Sequence, residues 1–229
     1  MYKRQLELIP EGKEVKLGRY SYVPAKNTFA SQKKDVATNY IQGITSGPQP
    51  GSSDFNAFSI AMRIFYDRQF LEVRTNNGLS YAPQAHFNAG LSPYTTIQVS
   101  TTNPDKYIGV MDNLLVKTRA QGFTPEEVKN TKTGYATSFY YKMETNAAQA
   151  ASLASNEILF NDWHRSLRIN EDLKKVSVDD VNKAFNKYVK DITWVYQGDT
   201  TKVNASLYRA SPPQESKLPD TKISNGNKN

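Results

Sequence analysis

The run NPDKYIGVMDNLLVKTRAQGFTPEEVKNTKTGYATSFYYK, residues 103–142, constrains the fold more than any other stretch, because it carries two helix patterns and the punctuation between them. Asn103-Pro104 reads as a helix start, with Asn103 as cap and Pro104 in the first turn, where a missing N–H does no harm. Tyr107, Ile108, Met111, Leu114 and Leu115 then fall on one face. Gly122 closes that helix. Thr124-Pro125-Glu126-Glu127 opens the next with capping-box spacing, Thr to Glu three residues on, and Val128, Tyr135, Phe139 and Met143 continue along a face. With only Gly122-Phe123-Thr124 between them, the two helices are expected to pack as neighbours.

The flanking segments supply a sheet. DVATNYIQGIT (35–45) reads as a strand, SGPQPGSSD as a loop, and Phe55 to Thr75 as a helix. LSYAPQAHF and YTTIQVST are strand patterns separated by the turn-rich NAGLSP, which suits a hairpin, although Pro83 demotes part of the first to an edge or a bulge. Downstream, NAAQAASLASNEILF predicts a helix whose small side chains permit close approach. Ser177 starts another, SVDDVNKAFNKYV, with Asp180 completing the cap and Val181, Ala184, Phe185 and Tyr188 facing inward. ITWVYQGD has the alternation of a final strand. The order predicts an α+β fold, a mostly antiparallel sheet with helices layered on one side. No internal repeat is visible. Residues 1–30 read as linker and lead-in strand (GRYSYVP), residues 31–208 as one half-domain, and residues 209–229, with three prolines and few large apolar residues, as a flexible tail.

Composition removes several classes of function. At 38% hydrophobic residues the 229-residue chain can build a real core, and with no cysteine it has neither disulfides nor a thiolate metal site or nucleophile. The net charge of +7 comes from 29 basic and 22 acidic residues interspersed along the chain, with no arginine-rich helix or lysine tract, so nucleic acid is not an expected partner. No apolar run reaches the roughly 18 residues of a membrane span, and the N-terminal segment lacks the apolar stretch of a signal peptide. The compartment stays open, an extracytoplasmic one included.

The usual catalytic patterns are missing as well. The two histidines, His86 and His164, are far apart, with no acid at ligand spacing around either, so no metal is expected on this chain. There is no G-x-S-x-G elbow and no phosphate-cradling glycine loop. The acidic pairs Glu126-Glu127 and Asp179-Asp180 sit at helix starts, where negative charge is favourable. What remains is EVRTNNGLSYAP (72–83): an arginine, Arg74, at a helix end, a turn of Asn76, Asn77 and Gly78 with Gly78 suited to the left-handed conformation, and a tyrosine, Tyr81, on an extended segment. On spacing alone, Tyr81 on one strand face with Leu79 fits a core tyrosine, and Arg74 fits a side chain capping helix carbonyls.

The longer run FYDRQFLEVRTNNGLSYAPQAHF resembles the signature segment of the insulinase-like zinc metallopeptidases, the family of pitrilysin and mitochondrial processing peptidase. Phe70, Glu72, Val73, Arg74, Gly78, Leu79 and Tyr81 fill the places of that signature, and VSTTNPDKYIGVMDNLLVKTRAQGFTPEEVKNTKTGYATSF is similar to the strand and helix pair that follow it. Thr75 departs from the acid frequent after the arginine. The resemblance implies one of two homologous halves that close around a peptide. The His-x-x-Glu-His zinc motif of the first half is absent, so it implies the C-terminal, non-zinc half. Zinc, its ligands and the glutamate base are then expected in a homologous zinc-bearing half, in the same parent chain or in a separate subunit. The linker-like start favours a piece of a longer chain. Arg74 is implied as a binder of the peptide substrate and Tyr81 as a donor to the carbonyl oxygen that becomes negative in the transition state. Alone, the chain is expected to be inactive. A structural or peptide-binding protein that keeps the fold without proteolysis is the alternative. The alternation in YTTIQVST raises one further expectation, an exposed sheet edge open to strand addition by a peptide.

Overall fold

The computed structural model describes residues 7–13, 15, 18–26 and 28–209. Five strands form one sheet in the order β1 (Phe29–Lys33), β5 (Thr193–Gly198), β2 (Asn39–Ser46), β4 (Tyr94–Thr101), β3 (Gln84–Asn88). Only β1 against β5 is parallel; the other three pairings are antiparallel. Seven helices stand among the described residues: α1 (Phe55–Gln69), α2 (Pro104–Gln121), α3 (Pro125–Lys142), α4 (Asn146–Phe160), α5 (Arg165–Lys175), α6 (Val178–Tyr188) and α7 (Ala205–Arg209). The molecule is the expected α+β arrangement. None of these helices is long and apolar enough to cross a membrane.

Strand alternation decides which side the helices take. Ile41, Ile97, Val99, Trp194 and Tyr196 point under the helices and are buried, while their neighbours Tyr40, Gln42, Gln98 and Val195 on the other face remain exposed or half-buried. Gly43 is required on the covered face, because a Cβ there would stand 2.6 Å from the Trp194 ring. The helical layer is organised by α1, which buries most of its circumference and leaves one polar stripe of Asn56, Ser59, Arg63 and Asp67. Phe58, Ile60, Ala61 and Phe65 are fully buried. Phe58 packs edge-on against Phe87 of β3 at 5.0 Å, and Phe65 meets Phe185 of α6 at 5.1 Å.

The α2–α3 link behaves as its sequence dictates. Gly122 turns the chain at φ +71°, and Thr124 and Glu127 close a reciprocal capping box. Glu127 also pairs side-on with Arg68 of α1, through Nε to Oε1 and a terminal nitrogen to Oε2, both at 2.7 Å, and Arg68 donates to the Gly122 carbonyl at 2.9 Å. One arginine thus ties the link to the central helix. Ser177 and Asp180 close a second capping box on α6.

Four expectations need correction. GRYSYVP is irregular, and the first strand is FASQK, five residues later; an irregular path satisfies Tyr20 by an N–H donated to the Leu91 carbonyl at 3.1 Å. LSYAPQAHF is a strand only from Gln84 onward, since Pro83 has no N–H to give a ladder. Asn103 starts α2 without a side-chain cap, its amide donating to Thr102 Oγ1 at 3.3 Å instead. YTTIQVST is interior, paired with β2 on one side and β3 on the other, so the free edges belong to β1 and β3. The helices α5 and α7 have no counterpart in the sequence-based expectation. The expected tail lies, beyond Arg209, outside the described residues.

Candidate functional site

The segment bearing Arg74 and Tyr81 begins where α1 changes its winding. From Phe70 to Asn76 the helix continues as a π-helix, and only Val73 of these seven residues is buried. Single stretches of this kind are uncommon and concentrate at functional sites. The turn that follows is locked from three directions. Gly78 sits at φ +59°, with its N–H donating to the Arg74 carbonyl at 3.1 Å. Leu79 donates its N–H to the Val73 carbonyl at 2.9 Å. The Glu72 carboxylate accepts from Asn76 Nδ2 at 2.9 Å and from Asn77 Nδ2 at 3.2 Å. Glu72, carried by the signature without an evident role, is the staple of this turn.

Beyond it the chain bends at Tyr81 and Ala82 and stays unpaired until β3, and Leu79 and Tyr81 part company. Leu79 is 6% exposed and belongs to the core, whereas Tyr81 is 79% exposed. The core-tyrosine alternative therefore fails: without a ladder, strand alternation does not hold. The Arg74 guanidinium carbon lies 4.0 Å from the centroid of the Tyr81 ring and 4.9 Å from that of Phe70, a cation held between two aromatic faces. Among the described residues neither the guanidinium nor the phenol takes part in a hydrogen bond or ion pair within this chain. Arg74 does not cap the helix carbonyls; the backbone of Gly78 does that. A permanent planar cation and a phenol are thus brought together on a fixed turn with their donors unspent.

The pair stands at the border of the uncovered sheet face. Ala82, next to Tyr81, lines a groove of about 410 Å³ on that face with Gln84, Gln98, Gln42, Tyr40 and Val195. Sequence alternation shows that Gln42 and Gln98 avoid the buried side of their strands, but only the register sets them opposite each other.

The histidines are not gathered. His86 is exposed on edge strand β3, and His164 is exposed at the start of α5, stacked on Trp163 with ring centroids 3.6 Å apart. Asp162 lies 3.5 Å from its Nδ1. Among the described residues no group of three or more His, Cys, Asp or Glu could hold a metal ion.

The model of the peptidase M16 inactive domain matches residues 2–135, more than half of the chain and the whole of the signature segment. The chain belongs to the peptidase M16 inactive-domain family. Solved structures agree on the fold. The peptidase M16 inactive domain from Pseudomonas fluorescens superposes with TM-score 0.69 at 16% identity, covering 81% of this chain and 46% of that one. A conserved protein from Enterococcus faecalis gives 0.73 at 14% identity over 88% and 49%, and a protease from Helicobacter pylori 0.71 at 18% identity over 85% and 50%. This M16 inactive domain spans about half the length of each. No curated protein matches it. It is the insulinase-like C-terminal half-domain that its signature segment resembles.

Proposed function

We propose that this M16 inactive domain, with residues 31–208 as the half-domain, is the substrate-binding, non-zinc half of a zinc metallopeptidase that hydrolyses peptides in a closed cavity. The observation that carries the proposal is the Arg74–Tyr81 stack, two unspent donor groups on a locked turn beside an uncovered sheet face. A homologous zinc-bearing half, in the same parent chain or as a separate subunit, would face it and would hold the zinc, its ligands and the general base. The M16 inactive domain's own part is binding and charge stabilisation. Arg74 donates to a carbonyl or carboxylate of the bound peptide and orients it. Tyr81 donates its phenolic hydrogen to the carbonyl oxygen as that oxygen becomes negative. The ring also holds the guanidinium, so one side chain both acts and positions. Because the two groups stand on the half opposite the hydrolytic machinery, the site is complete only when the halves close and exclude water.

The test is peptide hydrolysis by this chain together with its zinc-bearing half. Tyr81→Phe, which keeps the ring under Arg74, is expected to lower kcat about 100-fold, the scale of losing one oxyanion donor. Arg74→Ala is expected to raise KM about tenfold or more, as loss of a charged hydrogen bond to substrate. An intact, closed complex that cleaves equally well with both substitutions overturns the proposal.

A further inference from the structure

Among the described residues, the strands turn no formally charged side chain to the uncovered face of the sheet. Registers fix which side chains share it: Gln32 lies beside Gln197, and Val195, Gln42, Gln98 and Gln84 follow one another across β5, β2, β4 and β3. Gln197 Nε2 donates to Gln32 Oε1 at 2.9 Å, which confirms that β1 shows its even-numbered residues on this side. By the same alternation, none of the residues that the five strands turn to this face is Asp, Glu, Lys or Arg. His86, Tyr40 and Tyr94 are the only titratable groups that these strands turn to it. In a chain with 22% charged residues and a net charge of +7, a whole sheet face without a charge is unexpected for ordinary solvated surface.

The composition also distinguishes what covers such a face. The core of a protein–protein interface is enriched in aromatic residues, Met and Arg. Here five glutamines, Gln32, Gln42, Gln84, Gln98 and Gln197, dominate, and each has a carbonyl and an NH₂ at the end of a flexible stem. A side-chain amide has the donor and acceptor of a peptide group, so a row of them can satisfy a backbone lying across the strands whatever its sequence. It offers nothing to neutralise an ion, and an ion brought against it loses water without gaining a counter-charge.

Building on the role proposed above, we infer that this face is a peptide-binding wall selective for uncharged, extended polar segments, read through backbone amides by the glutamine row Gln42, Gln98 and Gln84 of β2, β4 and β3, with Gln197 and Gln32 flanking it on β5 and β1. The peptide lies across the strands in the 410 Å³ groove. At the Ala82 end it passes to Tyr81 and Arg74, the first charge it meets. Specificity arises from what the wall refuses, a charged residue, rather than from a pocket that selects one side chain.

The experiment is a titration of this chain, followed by its amide NMR spectrum, with end-blocked peptides of about eight residues, long enough to cross five strands about 4.8 Å apart. One peptide contains Gly, Ser and Gln only; two others carry Lys or Glu at alternate positions. The neutral peptide is expected to shift Gln42 and Gln98, to bind about fivefold or more tighter than either charged one, and to vary less than about twofold in Kd with added salt. Gln98→Glu should reverse the preference toward the Lys peptide by about fivefold. Gln42→Glu, on the neighbouring strand, should do the same and guards against a fold failure in the first variant. Charged peptides that bind the unaltered chain as well as the neutral one, or no peptide-induced shift on this face, overturn the inference. The readout is binding, not hydrolysis, so it fails or holds independently of whether Arg74 and Tyr81 act in catalysis.

Discussion

At the scale of single residues, Gly78 and Asp112 carry the sharpest consequences outside the Arg74–Tyr81 pair. Gly78 stands at φ +59° with open space where a Cβ would go, so its constraint is the backbone conformation alone. Gly78→Ala is expected to cost about 1–2 kcal/mol in urea denaturation, because an alanine must hold the left-handed conformation. Asp112 of α2 is half-buried, and that burial pushes its carboxyl from 3.8 up to about 6, against the opposing charge of Arg119. The folded protein therefore holds this proton more tightly than the unfolded chain. Stability from this group is full below about pH 4 and is lost as pH rises through 6. Asp112→Asn should remove that loss and stabilise the protein at pH 7 by about 1 kcal/mol, discounted for the water that still screens the carboxyl, measured as urea stability across pH 4 to 7. Arg74 and Tyr81 stand out in the sequence because a signature contains both; that they stack on each other is added by the fold. Glu72 as a staple was not legible: a carboxylate in LEVR looks like a solvated helix residue, and although Asn76 stands one helical turn on, at i+4, Asn77 at i+5 reaches it only because the winding has widened.

Among elements, the α2–α3 link and its clamp decide how the helices seat on α1. Burial acts to raise the Glu127 carboxyl, but the Arg68 hydrogen bonds, the Thr124 N–H and the Arg68 charge together hold it below its ordinary value. This contribution has the opposite sign to that of Asp112. It is present above the carboxylate's unfolded value and lost as pH falls through the lower folded one. Glu127→Gln should cost about 1–3 kcal/mol at pH 7 and little at pH 3, which thermal melts at the two pH values would show. Helix α4 has no buried residue, whereas α1 is the core. In hydrogen exchange, Asn146–Phe160 should therefore open about tenfold or more faster than Phe55–Gln69. The capped elements were legible because a cap is a local event written in adjacent residues. RSLRINEDLKK was missed as α5 because only Ser166 and Leu173 are buried and no capping side chain marks its start. β1 was displaced because FASQK shows no alternation of burial; its place comes from pairing with β5, far away along the chain.

For the whole molecule, the helical layer carries the charge and the uncovered sheet face carries amides, a division that strand alternation hints at and register completes. The pairing of β1 with β5 brings the two ends of the folded chain into one sheet, so the wall exists only after the last strand is in place. The bearing of Arg74 has a different origin. A residue's compass direction around a helix depends on the pitch of every turn before it, and the π-helical stretch from Phe70 to Asn76 winds wider than the α-helix that feeds it. The guanidinium's aim is thus recorded in backbone winding, upstream of any contact the side chain makes. A relative that lost one residue between Phe70 and Arg74 would rewind to a regular helix, keep its arginine and tyrosine intact in an alignment, and point the arginine away from its ring. Such a chain would read as complete and behave as blank.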